Sequence, residues 1–580
     1  MNNFIKHILF VIFFVAVSFS SCRGIDDFLE KPPGVDITED TIFSTKKDIE
    51  TFLFAAYAYG MHSYYPYNEI NGGKNPNPSF CISAAMTDEA EMADTWFSAQ
   101  QWNVAAIESQ YSWEDERIDM RYGAIRRCNI LLERLPDAID FQEKDQFIGE
   151  ALFIRALNNF EILKRYGAMP IVKKRFLVSD DIKLPRATLE EYVNFIVEDC
   201  DEAARLLKGV QYTANQRGRV THVAALALKS KTLLYAASPL FNTATPYMDG
   251  EAKMHICYGN YDKQRWKEAA DAALAVINSA PSYGFALLNN GDPENDYRKV
   301  WEEHDNKEII LAEKVAKDCG GWEDPWRLIM PQPMNMHGWA GVCVPHNFIR
   351  KYEKMNGESQ TWNEPGVWGT DLMEKYAELD PRFRQTVAYN GSEWCLERPE
   401  MQLYEGGEHN TNKNVTGAFM HKTIPYIYFS WHTPNGILFR VAEAYLNYAE
   451  ALNEYLDHPS EQVYWAINMI RERAGMPDLP SGIDQSEMRE RIKNERDIEL
   501  AFEDHRMWDI RRWMDAEKDG VMQGSFYKVN IKRISGSKLE SKCDYMISEY
   551  EKRTFKRRMY LHPILENEIN KGYLVQNPGW

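Results

Sequence analysis

Two groups of residues in this chain have the types and spacing that chemistry needs. The first is a pair of carboxylates. In NERDIELAFEDHRMWDIRRW, Asn494 to Trp513, Glu499 and Glu503 stand four residues apart. They therefore share one helical face, as the acid and base of a two-carboxylate glycoside hydrolase could do. Arg496, Arg506, Arg511 and Arg512 lie in the same box. Guanidinium groups hold carboxylates ionised, whereas a general acid needs its pKa raised, so a structural ion cluster is the expectation. The second group is AAMTDEAEMADTWFSAQQW, Ala84 to Trp102, with Asp88, Glu89, Glu91 and Asp94. Its spacing is not the EF-hand pattern, and a solvated acidic loop is expected. No HExxH, GxSxG or P-loop motif occurs, and no CxxC or His/Cys metal spacing, so neither a metal nor a cofactor is expected.

The aromatic residues are more informative. GGWEDPWRLIMPQPMNMHGW, residues 320–339, sets Trp322, Trp326 and Trp339 among glycine and proline. No long helix or regular strand can form there to carry the rings to one buried face. Trp96 and Trp102 follow Asp88 closely. An indole face covers the apolar C–H face of a pyranose ring, and a carboxylate accepts its hydroxyls. Trp96, Trp322, Trp326, Trp339, Asp88 and Trp102 are therefore the expected ligand-binding residues, with core packing the competing reading for each ring. Eight of the 16 tryptophans lie between Trp301 and Trp431, so the concentration is regional.

The elements that position these residues read as mainly helical. The chain has 580 residues, 44% of them hydrophobic and 26% charged, a globular composition with material for several domains. A net charge of −19 disfavours nucleic acid, whose phosphates need clustered Lys and Arg. The apolar run Ile8 to Phe19 follows Lys6. It is shorter than the ~20 residues of a membrane-spanning helix and reads as an export signal over 1–21. It ends in SFSSC, which resembles a lipobox with Cys22 as the lipidated residue; an ordinary signal peptide is the alternative. Residues 22–40 then form a tether. Amphipathic stripes predict helices near 46–60, 117–135, 148–166, 188–208, 220–238, 262–280, 438–456, 461–474 and 487–514. In the first long one, Ile148, Leu152, Ala156, Phe160 and Leu163 share a face. The predicted organisation is a helical frame over 41–240 with a loop insertion at 61–115, a variable ligand-binding lobe over 241–435, and a second helical part over 436–580. Alternating small and large residues suit closely packed tetratricopeptide-like pairs, without a clean 34-residue repeat. The eight cysteines after Cys22 are scattered, as buried thiols usually are.

Several stretches together resemble the SusD/RagB family: SSC at Cys22, EALFIRALNNFEILKRYGAMPIV from Glu150, LFRVAEAYLNYAEALNE from Leu438, INMIRERAGMP from Ile467, the NERDIELAFEDHRMWDIRRW box, and the ending LHPILENEIN…QNPGW. The resemblance implies a helical fold with four tetratricopeptide-like helix pairs and a variable lobe. It implies no catalysis, a lipid anchor on the outer face of the outer membrane, and a SusC-like TonB-dependent transporter as partner. It also implies glycan held on an aromatic platform, to which the Asp88–Trp96 segment, Trp322, Trp326 and Trp339 correspond by position. The acidic net charge argues for a neutral polysaccharide or oligosaccharide, while one arginine such as Arg327 could pair with a uronic acid. An exported glycoside hydrolase and a peptide-binding surface lipoprotein are the alternatives.

Overall fold

The structure, a computed structural model, describes residues 39–61, 83–93, 95, 98–109, 118–313, 341–396, 399–422, 435–535 and 542–580. The main helices are α1 Lys46–Gly60, α2 Ile118–Arg134, α3 Lys144–Tyr166, α4 Leu189–Leu206, α5 His222–Ala237, α6 Gln264–Ser279, α7 Val441–Tyr455, α8 Glu461–Arg473, α9 Gln485–Glu499 and α10 Arg506–Arg512. Their starts follow local chemistry. The Thr45, Thr221 and Asp484 side chains accept from backbone N–H groups of the first turn, and Thr188 with Glu191 closes a capping box on α4. α3 ends at Gly167, whose φ is +74° and where a Cβ would sit 2.7 Å from the His255 carbonyl oxygen.

Each helix from α1 to α6 packs on the next, and α6 then packs on α7, which carries α8 and α9. The helix expected at 262–280 thus belongs to the frame, which extends past residue 241 to Ser279. About 160 residues lie between α6 and α7 in sequence, yet the two helices are neighbours. The lobe is an insertion into a continuous helix stack.

α3 departs from its predicted single stripe, because every residue from Gly149 to Tyr166 is buried. α2 and α4 flank it, and the C-terminal segment closes its end: His562 N–H donates to the Arg165 carbonyl at 2.7 Å, and Asn577 Nδ2 to that of Tyr166 at 3.1 Å. Its polar residues must then pair internally. Arg155 makes a two-pronged contact with Asp199 at 2.7 Å on each branch, and Glu150 holds Arg219 at 2.8 Å.

Among the described residues, nine strands form three sheets. They are β1 Glu91–Met92, β2 Ile309–Glu313, β3 Val342–Cys343, β4 Trp368–Gly369, β5 Val387–Tyr389, β6 Ala418–Met420, β7 Gly436–Arg440, β8 Gly524–Ser535 and β9 Lys542–Arg553. The sheet orders are β1-β3-β6-β5, β2-β7 and β4-β9-β8. The β8–β9 hairpin lies inside the stretch expected as the second helical part, 436–580. Val529 and Ile531 on β8, and Cys543, Tyr545 and Ile547 on β9, are buried at alternate positions, a period of two that no helix can satisfy. Among the described residues, Cys128, Cys200, Cys257, Cys343, Cys395 and Cys543 are all buried.

The predicted helix at 487–514 breaks in two. Between α9 and α10 the backbone turns left-handed at Phe502, φ +59°, and at Asp504, φ +60°. The turn sits within a buried ion network. Glu499 accepts from Arg440 at 2.6 Å and Arg382 at 3.0 Å and also contacts Arg473. Glu503 accepts from Arg440 at 2.7 Å and Lys422 at 2.8 Å. Glu308 joins Arg440 at 2.7 Å and Arg473 at 3.1 Å, while Arg382 continues to Glu495 at 2.6 Å and Asp380 at 2.7 Å. Lys422 also donates to the Ala501 carbonyl at 2.6 Å, and Arg440 to that of Glu499 at 2.7 Å. Residues 308, 380, 382 and 422 come from the inserted lobe, and residues 473, 495, 499 and 503 from the frame. A second cluster joins Arg496, Asp509, Arg512 and Glu450.

Breaking a buried ion pair from one side leaves its partner uncompensated. Arg440→Met is expected to lower unfolding stability by about 3–5 kcal/mol, read as a fall in the urea midpoint. Lys267→Met, which removes only an exposed pair with Asp271, should change it by less than about 1 kcal/mol. Equal effects would show that the network is not what holds lobe to frame.

The same region makes a pH prediction. Glu89 is sealed, its Oε1 accepting from the Phe502 N–H at 2.6 Å. Burial pushes its carboxyl up to about 8 against the pull of that N–H and of Arg506. A carboxyl whose folded pKa lies above its unfolded value is protonated longer in the native state, so stability falls as pH rises from about 4.5 to about 8. Glu89→Gln should therefore raise the melting temperature relative to wild type at pH 8.5 and leave it unchanged near pH 4, as scanning calorimetry at both pH values would record.

Candidate functional site

Two small strand pairs anchor the segments that carry the predicted rings. In the first, Glu91 pairs with Cys343 and Met92 with Val342, and Ala93 N–H donates to the Gly341 carbonyl at 3.3 Å. Residues 94 onward leave this end of the pair, and residues 314–340 arrive at it. In the second, Ala312 pairs with Ile437 and Glu313 with Gly436. Residues 314–340 leave from here, and residues 423–434 arrive. The segment with Trp322, Trp326 and Trp339 is therefore pinned at both ends, and one of those pins is shared with the segment carrying Trp96. Trp96, Trp322, Trp326, Trp339 and Cys22 themselves lie outside the described residues.

Asp88 and Trp102 are described, and their placement corrects the expectation of a ligand surface. Asp88 is 1% exposed. Its two oxygens accept from Arg506 Nε at 2.8 Å and Nη2 at 2.9 Å, with Lys351 Nζ at 3.5 Å. Burial opposes ionisation, but Arg506 and Lys351 outweigh it and hold the carboxyl below its usual value. The acidic stretch around it is likewise not a solvated loop: Glu89 and Glu91 are buried, and Glu91 pairs with Arg553. Trp102 is 1% exposed, with the Arg511 guanidinium 4.8 Å over its ring and the His562 ring 4.7 Å away. Both side chains brace the early insertion against the charged box and the C-terminal segment; neither faces solvent.

Glu499 and Glu503 are held ionised as expected, but not by the arginines of their own box: Arg496, Arg506 and Arg512 pair with Asp509, Asp88, Asp497 and Glu450, and the partners of the two glutamates come from outside the box. Burial would raise the Glu499 carboxyl, but Arg473, Arg440 and Arg382 together hold it far below the carboxylate range. Glu503 is lowered by Arg440 and Lys422 against the same burial. Neither is poised as a general acid.

The sequence reading missed a cleft of about 430 Å³ beside the second strand pair. β2 forms one wall through Ile309–Ala312, and Tyr212, Tyr283, Phe285, Arg217 and Asp305 line the rest. Tyr283 stacks on His222 with ring centroids 5.2 Å apart and 22° between planes, and its hydroxyl accepts from Gly209 N–H at 2.9 Å. Tyr212 donates to the Val220 carbonyl at 2.6 Å. These bonds fix both rings. Arg217 and Asp305 pair at 2.6 Å while remaining about half exposed, a weak pair that a polar ligand can open. A cleft of this size with fixed aromatic walls and a few polar groups suits a small polar ligand such as one or two sugar rings. Its signal in the sequence was faint: single tyrosines in the polar connections QYTANQRGR and SAPSYG.

Two family descriptions match successive parts of the chain. Residues 307–580 match the SusD family, and residues 27–234 match the family described as starch-binding associating with outer membrane. SusD-like protein P25 of Formosa agariphila is 25% identical over 545 residues, covering 87% of this chain and 89% of that one. The crystal structure of a SusD-like protein from Bacteroides fragilis shares 25% identity at a TM-score of 0.77, covering 95% of this chain and all of that one. A surface glycan-binding protein from Bacteroides fluxus shares the fold at a TM-score of 0.62 and 21% identity, covering 93% of this chain and all of that one. With both parts of the pattern matched in chain order and the mainly helical fold shared from end to end, the chain belongs to the SusD/RagB family.

Proposed function

We propose that this protein is a cell-surface glycan-binding lipoprotein that captures oligosaccharide or polysaccharide on an aromatic platform and passes it to a SusC-like TonB-dependent transporter. Glycan binding accords with the family description and with the name of the Bacteroides fluxus protein. The observation that carries the reading is the β1–β3 pair. It joins the early insertion to the middle lobe, so the segments holding Trp96 and Trp339 spring from adjacent backbone positions. The cleft beside β2 adds Tyr212 and Tyr283 at the other pin of the same segment.

Lipidation at Cys22 would hold the chain at the outer membrane, facing the exterior. Among the described residues no helix is long and apolar enough to cross a membrane. The role is binding without catalysis: the carboxylate pair that a hydrolase would use is locked in arginine contacts. Each ring stacked on a sugar contributes about 1 kcal/mol beyond area burial. Three or four such contacts, less the cost of ordering the ligand, give dissociation constants on the order of micromolar to millimolar. That range suits a handover, since a tightly held glycan could not be released to a transporter.

Trp322→Ala and Trp96→Ala are expected to abolish retention in polysaccharide affinity gels while shifting the melting temperature by less than about 2 °C, a change the size of a surface substitution. Unfolding of both variants without a selective loss of binding would remove the platform. Incubation with the same polysaccharides should release no reducing ends, and titration with peptides should give no heat; a positive result in either would move the assignment to a hydrolase or a peptide binder.

A further inference from the structure

The three-stranded sheet has two unlike faces. β8 and β9 pair in regular register from Tyr527↔Glu549 to Arg533↔Cys543, and β4 adds to the far edge of β9 through Trp368↔Met546 and Gly369↔Tyr545. Directly opposed residues share a face, and residues two apart lie on the same side. Val529, Ile531, Tyr545 and Ile547 face the core and are buried. The other face therefore carries Trp368, Met546 and Asn530 in one row across the three strands, with Lys532 opposite Asp544 on one side and Lys528 opposite Ser548 on the other. Trp368 is 44% exposed and its neighbour Val367 52%. Asn530 is fixed by donating to the Met546 carbonyl at 3.0 Å and to Ser548 at 2.6 Å.

The charged residues of this face are mostly basic. Lys528 and Lys532 have no ion-pair partner among the described residues, and the exposed Lys542 lies on the same side. Asp544 is the one carboxylate among these positions. In a chain of net charge −19 this is a local positive surface around a flat indole. β9 lies between β4 and β8; with strands about 4.8 Å apart and alternate residues about 6.8 Å, the Cα atoms of Lys528 and Lys532 lie about 12 Å from that of Trp368, a span of about two sugar residues that the long lysine side chains shorten.

We propose that this sheet face is a second saccharide site, distinct from the platform, and that it takes an anionic saccharide: one pyranose ring lies on Trp368 beside Met546, and the carboxylate or sulfate group of the adjoining residue, lying across β9, pairs with Lys528 or Lys532. The argument for a neutral glycan from net charge concerns the far field. At physiological ionic strength that field is screened beyond about 8 Å, and the groups within reach of the ligand decide. The site extends the glycan-binding reading but uses none of the platform residues.

The test compares wild type, Trp368→Ala, Trp368→Phe, Lys528→Gln/Lys532→Gln and Trp322→Ala. Binding is measured by titration with oligogalacturonate, a sulfated galactan oligosaccharide, a neutral β-glucan oligosaccharide and polyacrylate, each at low and high salt. Wild type should bind at least one acidic saccharide at least tenfold more tightly than the neutral one, and which acidic saccharide it is tells uronate from sulfate. Trp368→Ala should weaken that binding at least tenfold at an unchanged melting temperature, and Trp368→Phe should retain most of it. The double lysine variant should lose the salt dependence and leave neutral-glycan binding intact. Equal affinity for neutral and acidic saccharides would overturn the proposal, as would full binding by Trp368→Ala or polyacrylate binding as tight as the saccharide's. If Trp322→Ala alone abolishes acidic binding, the platform stands and the sheet site falls; if Trp368→Ala alone does so, the sheet site stands whatever becomes of the platform.

Discussion

A charge taken out of water must find an opposite charge, and the architecture follows from where these charges find theirs. Glu499 and Glu503 are satisfied only when Arg382 and Lys422 of the lobe meet Arg440 and Arg473 of the frame. An apolar interface would tolerate sliding by a residue or two, because hydrophobic burial is non-directional. An interlocked set of two-pronged ion pairs does not, since each displaced member leaves several kcal/mol of uncompensated desolvation. The network therefore acts on register more than on raw stability. It also accounts for the backbone between α9 and α10. Left-handed conformations at Phe502 and Asp504 are costly for side-chain-bearing residues, and they persist where the turn presents the Glu499 and Ala501 carbonyls to Arg440 and Lys422.

That fixed register matters because the lobe interrupts a helix stack. α6 and α7 are separated by a long excursion in sequence and joined by packing in space, so the excursion must leave and return at defined points. β2 and β7 supply the return: β7 runs directly into α7, and Glu308, just before β2, binds Arg440 at the β7–α7 junction. The strand pair that pins one end of residues 314–340 is thus wired into the ion network. The other pin, β1–β3, is braced through Asp88 and Arg506 to α10. Both anchors of the ring-bearing segment refer back to one charged box.

Helices were legible where local chemistry decided them. Threonine caps and amphipathic stripes placed α1, α4 and α5 within about two residues, because the signals that start a helix are contiguous in the chain. The α9–α10 break was not legible, since periodicity continues across it and the cause lies in residues 60 to 190 positions away. The β8–β9 hairpin was missed although FYKVNIKRIS and CDYMISEYEKR alternate as strands do; the helical character of the flanking segments carried over it. The tryptophans show the sharper limit. Trp301 and Trp394 lie in the same rich region as Trp368, yet they are 2% exposed against its 44%. Residue type in an irregular segment does not say which side of the backbone faces water. Asp88 and Trp102 failed as ligand residues for that reason: their chemistry fits a sugar, and it fits an arginine equally well.

Rigidity also governs how weak contacts combine. A ring held on a fixed frame loses little further freedom on binding, so most of its contact energy appears as affinity. Two weak saccharide sites on one stiff body act together only on a ligand long enough to reach both, and the second contact then occurs at a high effective concentration. A short oligosaccharide engages one site and leaves quickly. A polymer engages both and stays, at a strength set by the span between the sites and not by either site alone. With both proposed sites on a frame locked by buried charge, that span would be fixed, and modest stacking contacts would add up to a preference for chain length.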